Sequence, residues 1–271
     1  MAYAYDNVDF SHYYDKFVAD LPQHAFWIDM VQKIYSAIIQ RTFVDDRQTV
    51  VVDLGCGTGK DLSYYANYFR DRNIKLIGVD HSQAMLDRAE ERLANQSIDL
   101  VYGSLTNFAS RLGTKPVDCI LLPAGTYHHL TTDEERQDFV NNIREVLRCE
   151  TGLFAIYLMP DAFIHVEPRN NVSTEEKLKL IATENVQQSD NEWICKSTFE
   201  FDVPPKTEIA WHVRTCAKPK FLRLLRLNGF EAVLCCLDGK ELVPFNENMM
   251  SSLDQRSTPT ILVFRKITNT S

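Results

Sequence analysis

The spacing of apolar residues divides this chain into stretches with different periods. Between residues 24 and 40, Trp27, Met30, Val31, Ile34 and Ile38 recur at three- and four-residue intervals. That spacing predicts an amphipathic helix with one apolar stripe. Residues 49–54, Thr-Val-Val-Val-Asp-Leu, are an almost unbroken apolar run instead, as expected of a strand covered on both faces. A glycine-rich loop follows, then a helical stretch to about Arg70. A second strand is predicted over 74–79. Beyond it Ser82 can cap a helix carrying Met85, Leu86, Ala89 and Leu93 on one side. Further strands are expected at about 98–102 and 117–122 and, after Gly152, at 153–158. Ahead of Phe139, Val140, Ile143 and Leu147, Thr132 and Glu135 have the spacing of a capping box. Strand and helix alternating at these intervals predict an α/β fold, a parallel sheet with helices on both faces.

Past Pro160 the rhythm changes. Ser173 and Glu176 can box a short helix over about 174–183. Phe199, Phe201 and Val203 then alternate with Glu200 and Asp202. After Pro204-Pro205, Ile209, Trp211 and Val213 alternate with Glu208, His212 and Arg214. This predicts an antiparallel hairpin with one apolar and one polar face. Pro219 suits the first turn of a helix that Gly229 ends, and strands at about 230–237 and 260–265 follow. The connection 238–258, with Phe245, Met249 and Met250, has the length of a lid. The organisation expected is a single domain: an N-terminal helical cover (1–47), a core (48–158), an inserted cap (159–217) and a C-terminal helix with strands (218–271).

The chain has 271 residues, 45% hydrophobic and 24% charged, which excludes a disordered tail, a collagen-like fibre and a coiled-coil rod. Its 29 basic and 37 acidic residues give a net charge of −8. A nucleic acid or an anionic membrane as partner is disfavoured by that balance. Seven cysteines form no CxxC pair and no metal-ligand spacing. They read as free thiols in a reducing cytoplasm, with no metal expected. The first residues lack a basic segment followed by an apolar run, and no stretch approaches the ~20 apolar residues of a membrane span.

The strongest chemical signal is Asp53-Leu54-Gly55-Cys56-Gly57-Thr58-Gly59, between a buried strand and a helix. Glycines there allow a sharp turn and close approach of a ligand. A dinucleotide fingerprint, G-x-G-x-x-G, needs its third glycine where Lys60 stands. A P-loop needs Ser or Thr after Gly-Lys, and Asp61 stands there instead. A second acid, Asp80, ends the next strand, where a carboxylate can take both hydroxyls of a ribose.

These residues resemble the class I S-adenosylmethionine-dependent methyltransferases. The resemblance lies in Val51 to Gly59, in Gly78-Val79-Asp80-His81-Ser82-Gln83-Ala84-Met85-Leu86, and in Leu121-Leu122-Pro123-Ala124-Gly125-Thr126-Tyr127-His128-His129-Leu130. It implies a Rossmann-like, doubly wound, mostly parallel seven-stranded sheet with a reversed last strand, and S-adenosylmethionine as cofactor. It further implies that Asp53 and the backbone of Gly55, Cys56, Gly57, Thr58 and Gly59 hold the methionine end. Asp80 would bind the ribose, His81 would pack near the adenine, and Met85 would belong to the same cofactor site. Ser104 and Leu105 would face the adenine, and Ala124 would lie near the sulfonium. The family usually has Asp where this chain has Ser104.

The run after the fourth strand lacks the [DNS]-P-P-[YF] pattern of methyltransferases acting on nucleic-acid amino groups. A small-molecule acceptor, methylated on O or N, is expected. His129, or else His128, stands where a base is needed, since an imidazole titrates near ~6.5; either could instead only pack. Tyr13, Tyr14, Tyr127 and His212 are candidates to line the acceptor pocket, with ordinary amphipathic packing and a solvated hairpin face as the alternatives. Two other functions remain open: a non-methylating cyclisation or isomerisation on the same fold, and a catalytically silent partner subunit.

Overall fold

The computed structural model describes residues 2–20, 28–160, 178–189, 192–202, 206–237, 241–249 and 259–268. Within these, the strands are β1 (Ala2–Tyr3), β2 (Thr49–Leu54), β3 (Ile74–Asp80), β4 (Ile98–Tyr102), β5 (Cys119–Leu122) and β6 (Leu153–Leu158). They continue as β7 (Leu178–Ser189), β8 (Glu192–Phe201), β9 (Thr207–Arg214), β10 (Phe230–Cys236), β11 (Val243–Pro244) and β12 (Thr260–Lys266). The helices are α1 (Val8–Asp20), α2 (Ser36–Gln40), α3 (Lys60–Tyr68), α4 (Gln83–Leu93), α5 (Phe108–Arg111), α6 (Asp133–Val146) and α7 (Lys218–Leu227). A π-helical turn, Met30–Tyr35, leads into α2.

The central sheet has the order β11-β10-β12-β6-β5-β2-β3-β4. Strands β2 to β6 are parallel, and β12 runs antiparallel to both β6 and β10. The reversed strand is therefore present, and the short β11 at the edge makes eight strands where seven were expected. Val50, Val52 and Leu54 face one core with Phe139, Ile143, Phe221 and Phe264. Val51 faces the other, with Ile34, Ile38, Leu62 and Leu86. Burial on both faces explains why these strands read as continuous apolar runs. Two of the three predicted caps form: Ser82 Oγ accepts from the Met85 N–H, and Thr132 and Glu135 close a capping box on α6, while the third, Ser173 with Glu176, lies outside the described residues.

A second sheet, β1-β9-β8-β7, stands apart from the first. The expected hairpin is β8 with β9, Phe199 opposite Ile209. The helix expected over 174–183 is not formed in its described part. Those residues belong to β7, which pairs with β8 from Leu178 opposite Phe201 to Ser189 opposite Glu192. Pairing along a whole neighbouring strand outweighs a local capping preference. Trp27, the Pro204-Pro205 turn and Met250 lie outside the described residues. The described part of the expected lid is not free chain: β11 pairs with β10, and Phe245 and Met249 pack on the core. Arg214 also departs from expectation, since it is buried rather than on a polar face.

Arg214 belongs to an ionic knot that fastens the second sheet to the first. Glu192, 1% exposed, accepts from Arg136 Nη1 at 2.7 Å, Arg214 Nη2 at 2.7 Å and Lys220 Nζ at 2.9 Å. Arg136 donates its other N–H groups to the carbonyls of Leu130, Arg214 and Thr215. Burial works to raise the Glu192 pKa, but the Lys220 hydrogen bond and the Arg136 and Arg214 charges bring it down to about 2. Removing one charge strands the others in a dry site, so Glu192→Gln should cost about 3–5 kcal/mol in urea unfolding at pH 7. Because the folded pKa is depressed, this stabilisation is present above the unfolded value of ~4.3 and lost as pH falls toward 2. A variant within about 0.5 kcal/mol of wild type, as ordinary surface changes are, would show the knot to be incidental.

Candidate active site

Strand β2 lies between β3 and β5, so the chain leaves it on one side and returns on the other. That reversal opens a crevice at the carboxyl end of β2, where the glycine loop sits. Gly55 has φ +70°, and a Cβ there would come within 2.5 Å of Thr126 Cγ2. Gly57 has φ +53°, and a Cβ would meet only Tyr14 Cε1, at 3.8 Å, so its open side can admit a ligand. Asp80, 7% exposed at the end of β3, accepts from Gly57 N–H at 2.8 Å and from Ser82 N–H at 2.9 Å. Burial pushes its carboxyl up, against the pull of the Ser82 N–H, the His81 charge and the Gly57 N–H. The loop and the second acid are thus one unit.

Thr58 ties this unit to the N-terminal segment. Its hydroxyl donates to Asp15 Oδ1 at 2.7 Å and accepts from Arg92 Nη1 at 2.7 Å, while Arg92 also pairs with Asp15. Ser82 Oγ donates to the Tyr5 carbonyl at 2.6 Å, and β1 pairs with β9. The segment so held brings a cluster of aromatic rings close to Asp80: Tyr3–Tyr5 centroids are 5.6 Å apart, Tyr5–Tyr14 5.9 Å and Tyr3–His81 5.7 Å. Burial pushes all three phenols up, and Asp80 adds to the rise in each.

The turn after β5 sends its residues different ways. Ala124 is exposed, in the left-handed region at φ +58°. Tyr127 is buried against Phe139 and Phe221, with the Arg136 guanidinium 4.9 Å from its ring centre. It is part of the core and not of the tyrosine group around Asp80. His128 is fully buried: its Nδ1–H donates to the Arg214 carbonyl at 2.8 Å, and Nε2 accepts from Met159 N–H at 3.0 Å. Burial holds it down at about 3. With both nitrogens occupied, it is a structural peg and is not placed to take a proton from an acceptor.

His129 is different. Its ring stands 5.4 Å from Tyr5 and 5.8 Å from Tyr3. The His212 carbonyl, 3.1 Å from Nδ1, can only accept, so Nδ1 carries the proton and shares it with Tyr3 Oη. Nε2 is then the accepting nitrogen. Burial lowers this imidazole to about 4, against the His212 hydrogen bond, so it is neutral. His212 acts here through its carbonyl, while its side chain is exposed. Met85 and Tyr13 are buried under the N-terminal segment with Phe10 and Phe201. Ser104 is turned to its own loop: its N–H meets Asn107 Oδ1 at 2.9 Å and its hydroxyl Thr106 Oγ1 at 2.9 Å. Leu105 packs on the core, and His81 is half-exposed.

S-adenosylmethionine fits these residues. Asp53 Oδ1, Tyr35 Oη and Tyr65 Oη are buried and lack a hydrogen-bond partner among the described residues. Burial pushes the Asp53 carboxyl and both phenols well up, and Asp53 adds to the rise in each phenol. Three polar atoms in want of partners match the ammonium and carboxylate of an amino-acid end. The Asp80 carboxylate has lone pairs left for a ribose diol. Sequence reasoning missed Tyr3, Tyr5, Tyr35 and Tyr65; an isolated Tyr carries no spacing signal, and only the folded segments bring these together. A cavity of about 230 Å³ lined by Tyr127, Arg136, Cys216, Lys220 and Phe221 shares no residue with this site. Among the described residues no cluster of His, Cys, Asp and Glu is placed to hold a metal, and no helix is long and apolar enough to cross a membrane.

Residues 51–150 match the family described as "Methyltransferase domain". A stretch of 64 residues is 36% identical to the carboxy-S-adenosyl-L-methionine synthase of Trichodesmium erythraeum, covering 22% of this chain and 25% of that enzyme. The whole fold is shared with solved structures. The CcbJ methyltransferase from Streptomyces caelestis superposes over 98% of this chain and 99% of its own, at 17% identity and TM-score 0.64. DesVI from Streptomyces venezuelae does so over 96% and 99%, at 17% and 0.62. The sugar N-methyltransferase KedS8 from a Streptoalloteichus species covers 93% of each, at 17% and 0.61. Residues 51–150 of this chain are thus similar to a methyltransferase domain, and its fold is the Rossmann-like fold of these solved methyltransferases.

Asp80→Ala should weaken S-adenosylhomocysteine binding by about 1–3 kcal/mol, because ribose hydroxyls lose their acceptor. Gly57→Val should do more harm, since it fills the open side of the loop at a φ that a β-branched residue avoids. Calorimetric titration checks both; a folded Gly57→Val variant with wild-type affinity would move the cofactor away from this loop.

Proposed function

We propose that this chain transfers the methyl group of S-adenosylmethionine to an O or N atom of a small-molecule acceptor. The observation that carries the reading is the hydrogen bond joining the glycine loop to Asp80, with the unpartnered Asp53 Oδ1 buried just before that loop and the Tyr3–Tyr5–Tyr14 cluster of the N-terminal segment close to Asp80. When bound, the sulfonium supplies an electrophilic methyl group, so alignment and exclusion of water are left to the protein. Asp80 would hold the ribose, and Asp53 with Tyr35 and Tyr65 the methionine end. Tyr3, Tyr5 and Tyr14 close the dry side, and His129 Nε2 accepts a hydrogen bond that orients the acceptor. The likeness in fold to a sugar N-methyltransferase, along nearly the whole of both chains, supports a small acceptor. The acidic balance supports no nucleic-acid partner, and seven free thiols support a cytoplasmic setting.

The deciding test uses S-adenosylmethionine with a deuterated methyl group and a mixed extract of metabolites, RNA and protein. Label should enter low-molecular-mass compounds, each gaining one labelled methyl in place of hydrogen, with S-adenosylhomocysteine formed alongside. Label in RNA or protein would overturn the acceptor class. Turnover that leaves the cofactor unconsumed and product mass unchanged would establish the cyclisation or isomerisation reading instead.

A further inference from the structure

The cavity beside the Glu192 knot is lined by residues of α6 and α7 and has a chemistry of its own. We propose that it binds a small organic carboxylate, with one ring or a short chain as its apolar body. The inference stands apart from the methyl-transfer reading, because no residue lining this cavity belongs to the cofactor site.

The walls fix the size and the apolar part of the occupant. A volume of about 230 Å³ lies below the roughly 300–1,000 Å³ of pockets for drug-sized ligands, so the occupant is small. Phe221 and Leu224, three residues apart on α7, share a helix face and line the cavity together with Tyr127. Tyr127, Phe221, Arg136 and Glu192 are all buried. The Lys220 and Asp133 side chains are instead 51% and 64% exposed. The cavity thus has aromatic and aliphatic surface within and opens toward Lys220 and Asp133.

Its polar lining has more positive charge and more donors than its own acids use. Arg136, Arg214 and Lys220 form ion pairs with only two acids, Glu192 and Asp133. One positive charge in this group therefore lacks a counter-ion of its own. Lys220 uses two of its three N–H bonds, on Glu192 and Asp133. Arg136 Nη1 carries two N–H bonds and gives one to Glu192. Arg214 Nε, in the same group, is buried without a partner among the described residues. A carboxylate brings one negative charge for the surplus and two oxygens for charged donors. An uncharged ligand would leave the surplus unmet, an ammonium would add to it, and an inorganic anion would leave the apolar wall without contacts.

Calorimetric titration of the protein with benzoate and with benzamide, its uncharged isostere, tests the assignment. Benzoate should saturate one site and bind about tenfold or more tightly than benzamide, as charge-assisted hydrogen bonds imply. Saturating S-adenosylhomocysteine should not displace it. Lys220→Met, which removes the half-exposed cation, should bring the two affinities together. Leu224→Trp keeps every charge and fills the cavity; it should abolish binding of both probes while circular dichroism shows the fold intact, and it decides the location should Lys220→Met unfold. Equal affinities in the wild type, no saturable binding of benzoate, its displacement by S-adenosylhomocysteine, or its persistence in a folded Leu224→Trp variant would each overturn the proposal. So would a preference for benzoate that survives Lys220→Met.

Discussion

One carboxylate organises the site. Asp80 accepts the N–H of Gly57 with one oxygen and the N–H of Ser82 with the other. It thereby joins the loop after β2 to the first turn of α4. A buried carboxylate is costly unless its oxygens are satisfied by donors. Here two backbone amides meet that need and still leave lone pairs directed elsewhere. The glycine loop owes its shape to this bond as much as to its positive φ angles. The three tyrosines of the N-terminal segment are protonated partly because this same charge lies close to them.

The N-terminal segment and the insert depend on each other. Strand β1 has no place in the central sheet and finds its partner in β9. The Glu192 knot in turn fixes the ends of β8 and β9 to α6 and α7. A chain of contacts runs from that knot through His128, pegged to the Arg214 carbonyl, and His129, pegged to the His212 carbonyl, to Tyr3. Tyr3 and His129 are therefore positioned by the insert, although Asp53, the glycine loop and Asp80 belong to the core.

The core was legible in the sequence because its determinants are local. Strands buried on both faces leave continuous apolar runs, and the glycine loop with Asp80 is a short pattern whose meaning survives without partners. Ser82 and the Thr132–Glu135 box are readable for the same reason. The insert was less so: β7 is a strand because β8 lies beside it, and nothing between residues 178 and 183 announces that. Among the site residues, His128 and Tyr127 sit in the expected turn, yet a 3₁₀ turn spanning Thr126–His129 directs them into the core and leaves His129 outside it. The direction of each side chain there is set by Arg214, Met159 and Phe221, residues distant in sequence. The tyrosine cluster close to Asp80 has a similar origin, since Tyr3, Tyr5 and Tyr14 come together only when the N-terminal segment docks.

The central claim is that Asp53, the glycine loop and Asp80 receive the cofactor with its sulfur beneath the tyrosines. A crystal structure with S-adenosylhomocysteine measures this directly. The account predicts ribose hydroxyls on the Asp80 carboxylate, the amino-acid end within hydrogen-bond distance of Asp53 Oδ1, Tyr35 or Tyr65, and sulfur facing Tyr3, Tyr5 and His129. A cofactor bound in the cavity beside Arg136, or one in the crevice that leaves Asp80 and Asp53 untouched, would contradict it.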